Sequence, residues 1–281
     1  MIYSELLILI LSVGAGIFGA LLGLGGGIII IPILTLLLGV DIKYAIGASI
    51  VSVIATSSGA AITYVRDKIT NLRIGMFLET ATTLGAITGA FVAGYLNPKF
   101  LFILFGLLLL YSALAMLKKA AFKNEELQEI LADPLADKLK LNGNYYDKTL
   151  KQTIDYKVKG IYPGFGMMYF AGIASGLLGI GSGIFKVIAM DVFMKLPLKV
   201  SSATSNFMIG VTAAASAGIY LARGDINPKI AAPVALGVLL GASFGTTLMQ
   251  KLPSATIRKI FIPVLLYVAF QMLIKGLGLQ W

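Results

Sequence analysis

Long apolar runs without a single charge restrict this chain more than any other feature. Leu6–Leu22, Ile28–Leu38 and Leu101–Leu117 contain no Asp, Glu, Lys or Arg. A helix needs about 20 apolar residues to cross a bilayer core of about 30 Å. A soluble domain keeps about a quarter of its residues charged to cover its surface. Here 13% of 281 residues are charged and 58% are hydrophobic, so such a surface cannot be built. In lipid, backbone N–H and C=O groups must be satisfied within the chain, which favours helices. The expected class is an all-α integral membrane protein. Met1–Glu5 carries no basic stretch and no small-residue cleavage site follows, so Leu6–Leu22 reads as a retained segment, not a signal peptide.

The chain also repeats itself. Gly16–Lys119 lies over Gly172–Lys275 without a gap, and the matches include Lys43 on Lys199, Ser49 on Ser205, Thr56 on Thr212, Tyr64 on Tyr220 and Asn71 on Asn227. A shared bias toward Gly and Leu does not produce gap-free agreement at Lys, Asn and Tyr. Each copy begins with a long apolar helix (Tyr3–Leu22; Pro163–Leu178), then a Gly-rich break, then a short apolar limb (Ile28–Leu38; Ile184–Met194). That limb spans only about 17 Å at 1.5 Å per residue, which reads as one arm of a hairpin whose tip lies within the membrane. Three helices follow, near 44–65, 74–96 and 99–117, and again near 200–222, 229–250 and 255–275.

These features divide the chain into a first transmembrane repeat (1–119), a charged insertion (120–160) and a second repeat (161–281). Within the insertion, 124–139 has the pattern of an amphipathic helix interrupted at Pro134, and Asn142-Gly143 is a turn signal between short polar segments. It reads as a small water-exposed unit with no chemistry of its own.

Cationic loops set the orientation. With the insertion in the cytoplasm, Arg66, Lys68, Arg73, Lys195, Lys199, Lys251, Arg258 and Lys259 also face inward. Lys43, Lys99, Arg223, Lys229 and Lys275 are left on the other side. Each copy then crosses an odd number of times, so the two are inverted repeats, each a Gly-broken helical hairpin plus three transmembrane helices. Secondary transporters commonly use this plan. The same placement explains the net charge of +10 without nucleic acid.

The chain has no Cys and no His, which excludes Cys/His metal sites, disulfides and Ser-His or Cys-His catalysis. No cofactor is called for, and an enzyme is the weaker class because intramembrane acids are scarce. Four features could carry chemistry. The breaks come first, through Gly25, Gly26 and Gly27 in one copy and Gly181, Ser182 and Gly183 in the other. Irregular backbone at membrane depth is tolerated only when buried in protein or lining a cavity. A half-helix starting there presents free N–H groups and partial positive charge to an anion. Close helix packing is the alternative use for such glycines. No strand precedes them and no acid follows at the right distance, so a dinucleotide fingerprint is set aside.

Lys186 is second, one turn past the second break, where the first copy has Ile30. It is read as an anion ligand near the midplane, with snorkelling to the surface as the alternative. Glu79 is third, where the second copy has Ala235. It is the coupling candidate, open between a counter-charge to Lys186, a proton-carrying carboxylate and an interfacial residue. Last come two stripes of small polar residues, Ser49, Ser52, Thr56, Gly59 and Thr63, and Ser201, Ser205, Thr212 and Ser216. Most of these serve helix packing. Ser49, Thr204, Ser205 and Asn206 lie nearest the breaks and are candidate donors to an oxyanion.

The break Gly23-Leu-Gly-Gly-Gly27 with the following Pro32, and the runs Gly176-Leu-Leu-Gly-Ile-Gly-Ser-Gly-Ile-Phe-Lys-Val187 and Leu196-Pro-Leu-Lys-Val-Ser-Ser-Ala-Thr-Ser-Asn-Phe207, resemble the sulfite exporter TauE/SafE family. The resemblance extends over essentially the whole chain. It implies a cell-membrane, multi-pass exporter of sulfur-containing or organic anions such as sulfite, sulfoacetate or sulfonates, coupled to an ion gradient. Ser182 departs from a pattern in which relatives commonly have a third Gly. The expected partners are a small anion and the bilayer. The sequence admits H+ or Na+ as coupling ion, a homo-oligomer as assembled state and a passive anion channel as the alternative function.

Overall fold

The structure is a computed structural model that describes residues 5–22, 26–121, 133–147, 151–249 and 254–279. In the first copy, α1 (Glu5–Leu22) is followed by α2 (Gly27–Pro32), which continues as a π-helical turn over Ile33–Leu37, and then by α3 (Ile42–Arg66), α4 (Leu72–Tyr95) and α5 (Pro98–Ala121). The insertion holds α6 (Pro134–Lys138), β1 (Gly143–Asp147) and β2 (Gln152–Tyr156). The second copy repeats the order with α7 (Ile161–Leu178), α8 (Gly183–Ile188), a π-helical turn over Ala189–Phe193, α9 (Leu198–Ala222), α10 (Pro228–Met249) and α11 (Ser254–Leu277).

Local chemistry fixes the boundaries. Pro98 and Pro228 start helices at the position where a missing N–H costs nothing. The Asn71 side chain caps α4 by accepting from the Ile74 N–H at 3.1 Å. Equivalent turns close with left-handed residues in both copies, Gly39 with Lys195 and Lys68 with Gly224. The duplication is therefore one of backbone as well as sequence. It includes the two π-turns, which occupy equivalent residues.

Among the described residues five helices are long and apolar enough to cross a membrane: Ile42–Arg66, Leu72–Tyr95, Ile161–Leu178, Lys199–Ala222 and Pro228–Gly245. Polarity runs opposite to that of a soluble protein. Leu6, Phe91, Phe170, Phe244 and Tyr267 face outward, whereas Ser49, Ser52, Thr82, Ser205 and Thr212 are buried.

The copies interlock. α1 packs on α10 and α4 on α7, with α3 against α9 and α5 against α11. The contacts are reciprocal residue by residue. A Cβ placed on Gly16 would lie 2.4 Å from the Val238 carbonyl oxygen, and one on Gly172 would lie 2.2 Å from that of Thr82. Likewise Gly241 meets Val13 O at 2.1 Å and Gly85 meets Tyr169 O at 2.2 Å. Thr82 and Val238 occupy equivalent positions, as do Val13 and Tyr169, so each copy gives the other what it receives. Without a hydrophobic drive between helices in lipid, such close backbone approach supplies the packing.

The insertion corrects two expectations. The protein is not purely α-helical: β1 pairs antiparallel with β2, Gly143 opposite Tyr156 and Asp147 opposite Gln152. The strand formers Tyr145, Tyr146, Thr153, Ile154 and Tyr156 outweigh the polar composition. Asn142-Gly143 is therefore the entry to a strand and not its turn, with Asn142 Oδ1 accepting from the Val158 N–H at 2.8 Å. The expected helix over 124–139 falls partly outside the described residues. Within them Pro134 begins a helix instead of interrupting one, with Asp133 as its cap.

Nor is the insertion merely a solvated linker. Ala136, Leu141, Tyr145 and Val158 join a core with Ile74, Leu78, Met190, Met194 and Val200. Asn71 Nδ2 donates to Leu141 O and to Tyr156 Oη, each at 2.9 Å. Burial pushes the Tyr156 phenol above its ordinary value, so this acceptor stays neutral.

Candidate functional site

The two Gly-rich breaks meet. Ser49 Oγ, on α3 of the first copy, donates to Gly179 O of the second break at 2.6 Å. A Cβ on Gly27 would collide with Ser49 Oγ of its own copy and lie 3.0 Å from Gly179 O of the other, so glycine is required where the two breaks meet. Gly26 abuts Val238 of α10, and Gly181 abuts Val53 of α3 and Ile209 of α9. Gly25 lies outside the described residues.

The second break is left-handed at three residues, and at Ser182 it differs from its described counterpart in the first. Gly179, Gly181 and Ser182 all have positive φ, at 63°, 69° and 47°. Left-handed backbone suits glycine and costs roughly 1–2 kcal/mol for a residue with a Cβ. Gly26, the equivalent of Ser182, has φ −63° and needs no such freedom. Ser182 is buried and its Oγ has no hydrogen-bond partner among the described residues, as is also true of Ser201. An orphaned buried hydroxyl in a strained turn is uncommon in a folded protein.

The other polar candidates are engaged. Ser205 Oγ donates to Gly183 O at 3.2 Å, tying α9 to the second break. Asn206 Nδ2 donates to Ser202 O in its own helix at 3.1 Å. Thr204 does not join a break: its Oγ1 accepts from the Asn71 N–H at 3.0 Å, at the start of α4.

Lys186 does not snorkel. It is fully buried on α8, and its Nζ donates to Thr212 Oγ1 on α9. Thr212 Oγ1 in turn donates to Glu79 Oε1 on α4 at 2.6 Å, and Thr83 Oγ1 reaches the same oxygen at 3.3 Å. Glu79 is 7% exposed, and it and Lys186 are the buried charged side chains among the described residues. The structure thus joins the two charges singled out by sequence through one hydroxyl, across the interface between copies. Glu79 Oε2 is buried without a partner among the described residues. The equivalent positions Ile30, Thr56 and Ala235 carry no charge, so the arrangement occurs once, on one side of an otherwise duplicated frame.

Thr212 is the residue that sequence reasoning passed over. It lies on the same stripe as Ser205, and nothing in that stripe marks one hydroxyl among several. Its signal was indirect: the stripe faces the helices bearing the two lone charges.

Cationic side chains near helix ends have structural duties. Lys275 Nζ donates to Thr35 O at 2.6 Å and Lys43 Nζ to Gly94 O at 3.4 Å, each a carbonyl in the last turn of a helix, and Arg223 Nη1 donates to Ala90 O, one turn further into α4. Arg223 also pairs with Asp225 at 2.7 Å.

Comparison with known proteins gives one consistent answer. The sequence profile described as Sulfite exporter TauE/SafE matches residues 8–272. The probable membrane transporter protein YunE of Bacillus subtilis (strain 168) is 26% identical over 98% of this chain and 99% of its own length. The probable membrane transporter protein YdhB of the same organism is 24% identical over 90% of this chain and 94% of its length. The probable membrane transporter protein MJ0441 of Methanocaldococcus jannaschii is 25% identical over 90% and 89%. No solved structure matches. With spans of the required length and a profile match over nearly its whole length, the chain belongs to the sulfite exporter TauE/SafE family and is a multi-pass membrane transporter.

Proposed function

We propose that the protein is a secondary transporter, acting as an exporter at the plasma membrane, for a small sulfur-containing or organic anion such as sulfite, sulfoacetate or a sulfonate. The observation that carries this reading is the meeting of the two breaks beside a fully buried lysine. A buried cation in a membrane protein is costly and marks a ligand path by default. The anion would sit between the breaks, within reach of Lys186, the first turns of α2 and α8 and the unpartnered Ser182 hydroxyl.

The reciprocal packing of α1 on α10 and α4 on α7 supports an inverted repeat, with the insertion on the cytoplasmic side. In that arrangement one hairpin-bearing unit moves against the other, opening the site to each face in turn. Transport is coupled to an ion gradient.

The test is uptake into proteoliposomes of sulfite, sulfate, sulfonates and carboxylates, by wild type and Lys186→Ala. Selective flux that responds to an imposed proton or sodium gradient and falls at least tenfold in the variant is the expected result. Flux indifferent to both gradients identifies a passive channel. Unchanged flux in the variant removes Lys186 from the path.

A further inference from the structure

The buried charges form a closed account. Lys186 donates to Thr212, Thr212 donates to Glu79 Oε1, and the pair is neutral as it stands. Only one oxygen of the carboxylate is used. Thr212 and Thr83 both serve Oε1, while Oε2 is sealed from solvent with no partner among the described residues. A second anion brought to Lys186 would set two negative charges against one cation in a medium of low dielectric. Neighbouring anionic groups do not both stay ionised under such conditions. The free lone pairs on Oε2 are where a proton would go.

We propose that anion binding at Lys186 and protonation of Glu79 at Oε2 are a single coupled event, so that the coupling ion is the proton, taken one per anion. This rests on the anion-transport reading above and names its coupling chemistry. The step forms one O–H bond, with the proton drawn from water on the open face and returned when the anion leaves. Thr212 keeps its own proton throughout and orients both groups.

The loaded site then holds an ammonium, an anion and a carboxylic acid. For a monoanion its net charge equals that of the empty site, so neither form carries net charge across the low-dielectric interior. The substrate class is therefore a monoanion, such as hydrogensulfite or a monosulfonate and not the dianion sulfoacetate, and the membrane potential does no work on the step. Net flux follows the sum of two concentration gradients. The anion leaves the cell whenever its outward excess outweighs the inward proton gradient.

Few other ionisable groups compete for this role. On α8 the group that acts on Glu79 is Lys186. From α7, Tyr162 lies near one end and Tyr169 sits 3.4 Å from Thr88, two turns beyond Glu79. From α9, Lys199 and Tyr220 lie near the ends of the helix, away from Thr212. On α4 itself Arg73 lies near the start and Tyr95 at the end, and the insertion brings Tyr145 and Tyr156 to its first turns.

Two measurements on the full-length protein in detergent decide the matter. The first is calorimetric titration with methanesulfonate, a monoanion that does not itself take up protons near neutrality, in two buffers of different ionisation heat. The second is infrared difference spectroscopy of the same binding step. The expected result is an uptake of about one proton per anion bound, with a protonated-carboxyl C=O band appearing on binding. Glu79→Gln should bind the anion and lack that band. Should this variant fail to fold, isotopic labelling of the glutamate carboxyls in wild type assigns the band instead. Binding of methanesulfonate without proton uptake, or with uptake but no carboxyl band, overturns the coupling while the anion reading stands. If methanesulfonate, sulfate, sulfite and acetate all fail to bind, the anion reading itself falls and the coupling with it.

Discussion

Three side chains on three helices carry the polar centre of this protein, and their energies are interdependent. Removing one partner of a buried charge pair leaves the other uncompensated and costs about 3–5 kcal/mol, whereas replacing both is often close to neutral. Lys186→Met and Glu79→Gln should each lower the thermal midpoint in detergent, and the double variant should recover most of the loss. A double variant that shows the sum of the two losses would mean that the residues are not energetically paired. Lys186 and Glu79 were legible from sequence because charge is rare within apolar runs and each is unmatched in the other copy. Thr212 was not, because one hydroxyl in a stripe of hydroxyls carries no mark, and its two charged partners come from two other helices, α8 and α4.

At the scale of elements, the glycines divide by what they touch. A Cβ on Gly176 would lie 2.0 Å from Ala86 O, and one on Gly241 2.1 Å from Val13 O. Contacts that short force α4 from α7 or α1 from α10. Gly176→Ala and Gly241→Ala should therefore abolish recovery of monodisperse protein. Gly14→Ala and Gly59→Ala, which face open space, should be neutral or gain up to about 1 kcal/mol of helix propensity. Size-exclusion profiles after mild solubilisation separate the two groups, and a well-folded Gly176→Ala would refute the close-packing account. The helices themselves were legible to within a few residues, since apolar runs and Asn or Pro starts mark them. The π-turns were not, because shifting a hydrogen bond by one residue leaves no signature in the pattern of side chains. The β-hairpin was missed because Asn-Gly reads as a turn wherever it stands, and strand pairing depends on what lies across.

For the whole molecule, the duplication was plain in the sequence, but how the two copies pack was not. The structure shows that they exchange surfaces. α1 finds its partner in α10 and α7 in α4, so neither copy contains its own packing surface. Residues 1–132 and 133–281 expressed separately should each be degraded or aggregate, and co-expression should yield a complex that co-purifies. Recovery of either half alone as a folded unit would contradict the interlock. The same exchange sets a schedule for synthesis. α1 is finished about 200 residues before α10 begins, so at about 5–20 residues per second it waits about 10–40 s for the surface it fits. During that wait its glycine face, including Gly16, has no mate in the chain. The insertion machinery or neighbouring lipid must cover it, and premature pairing with an unrelated helix is the characteristic hazard of this fold. A fast-translated message for this protein has an advantage that its equilibrium stability does not reveal.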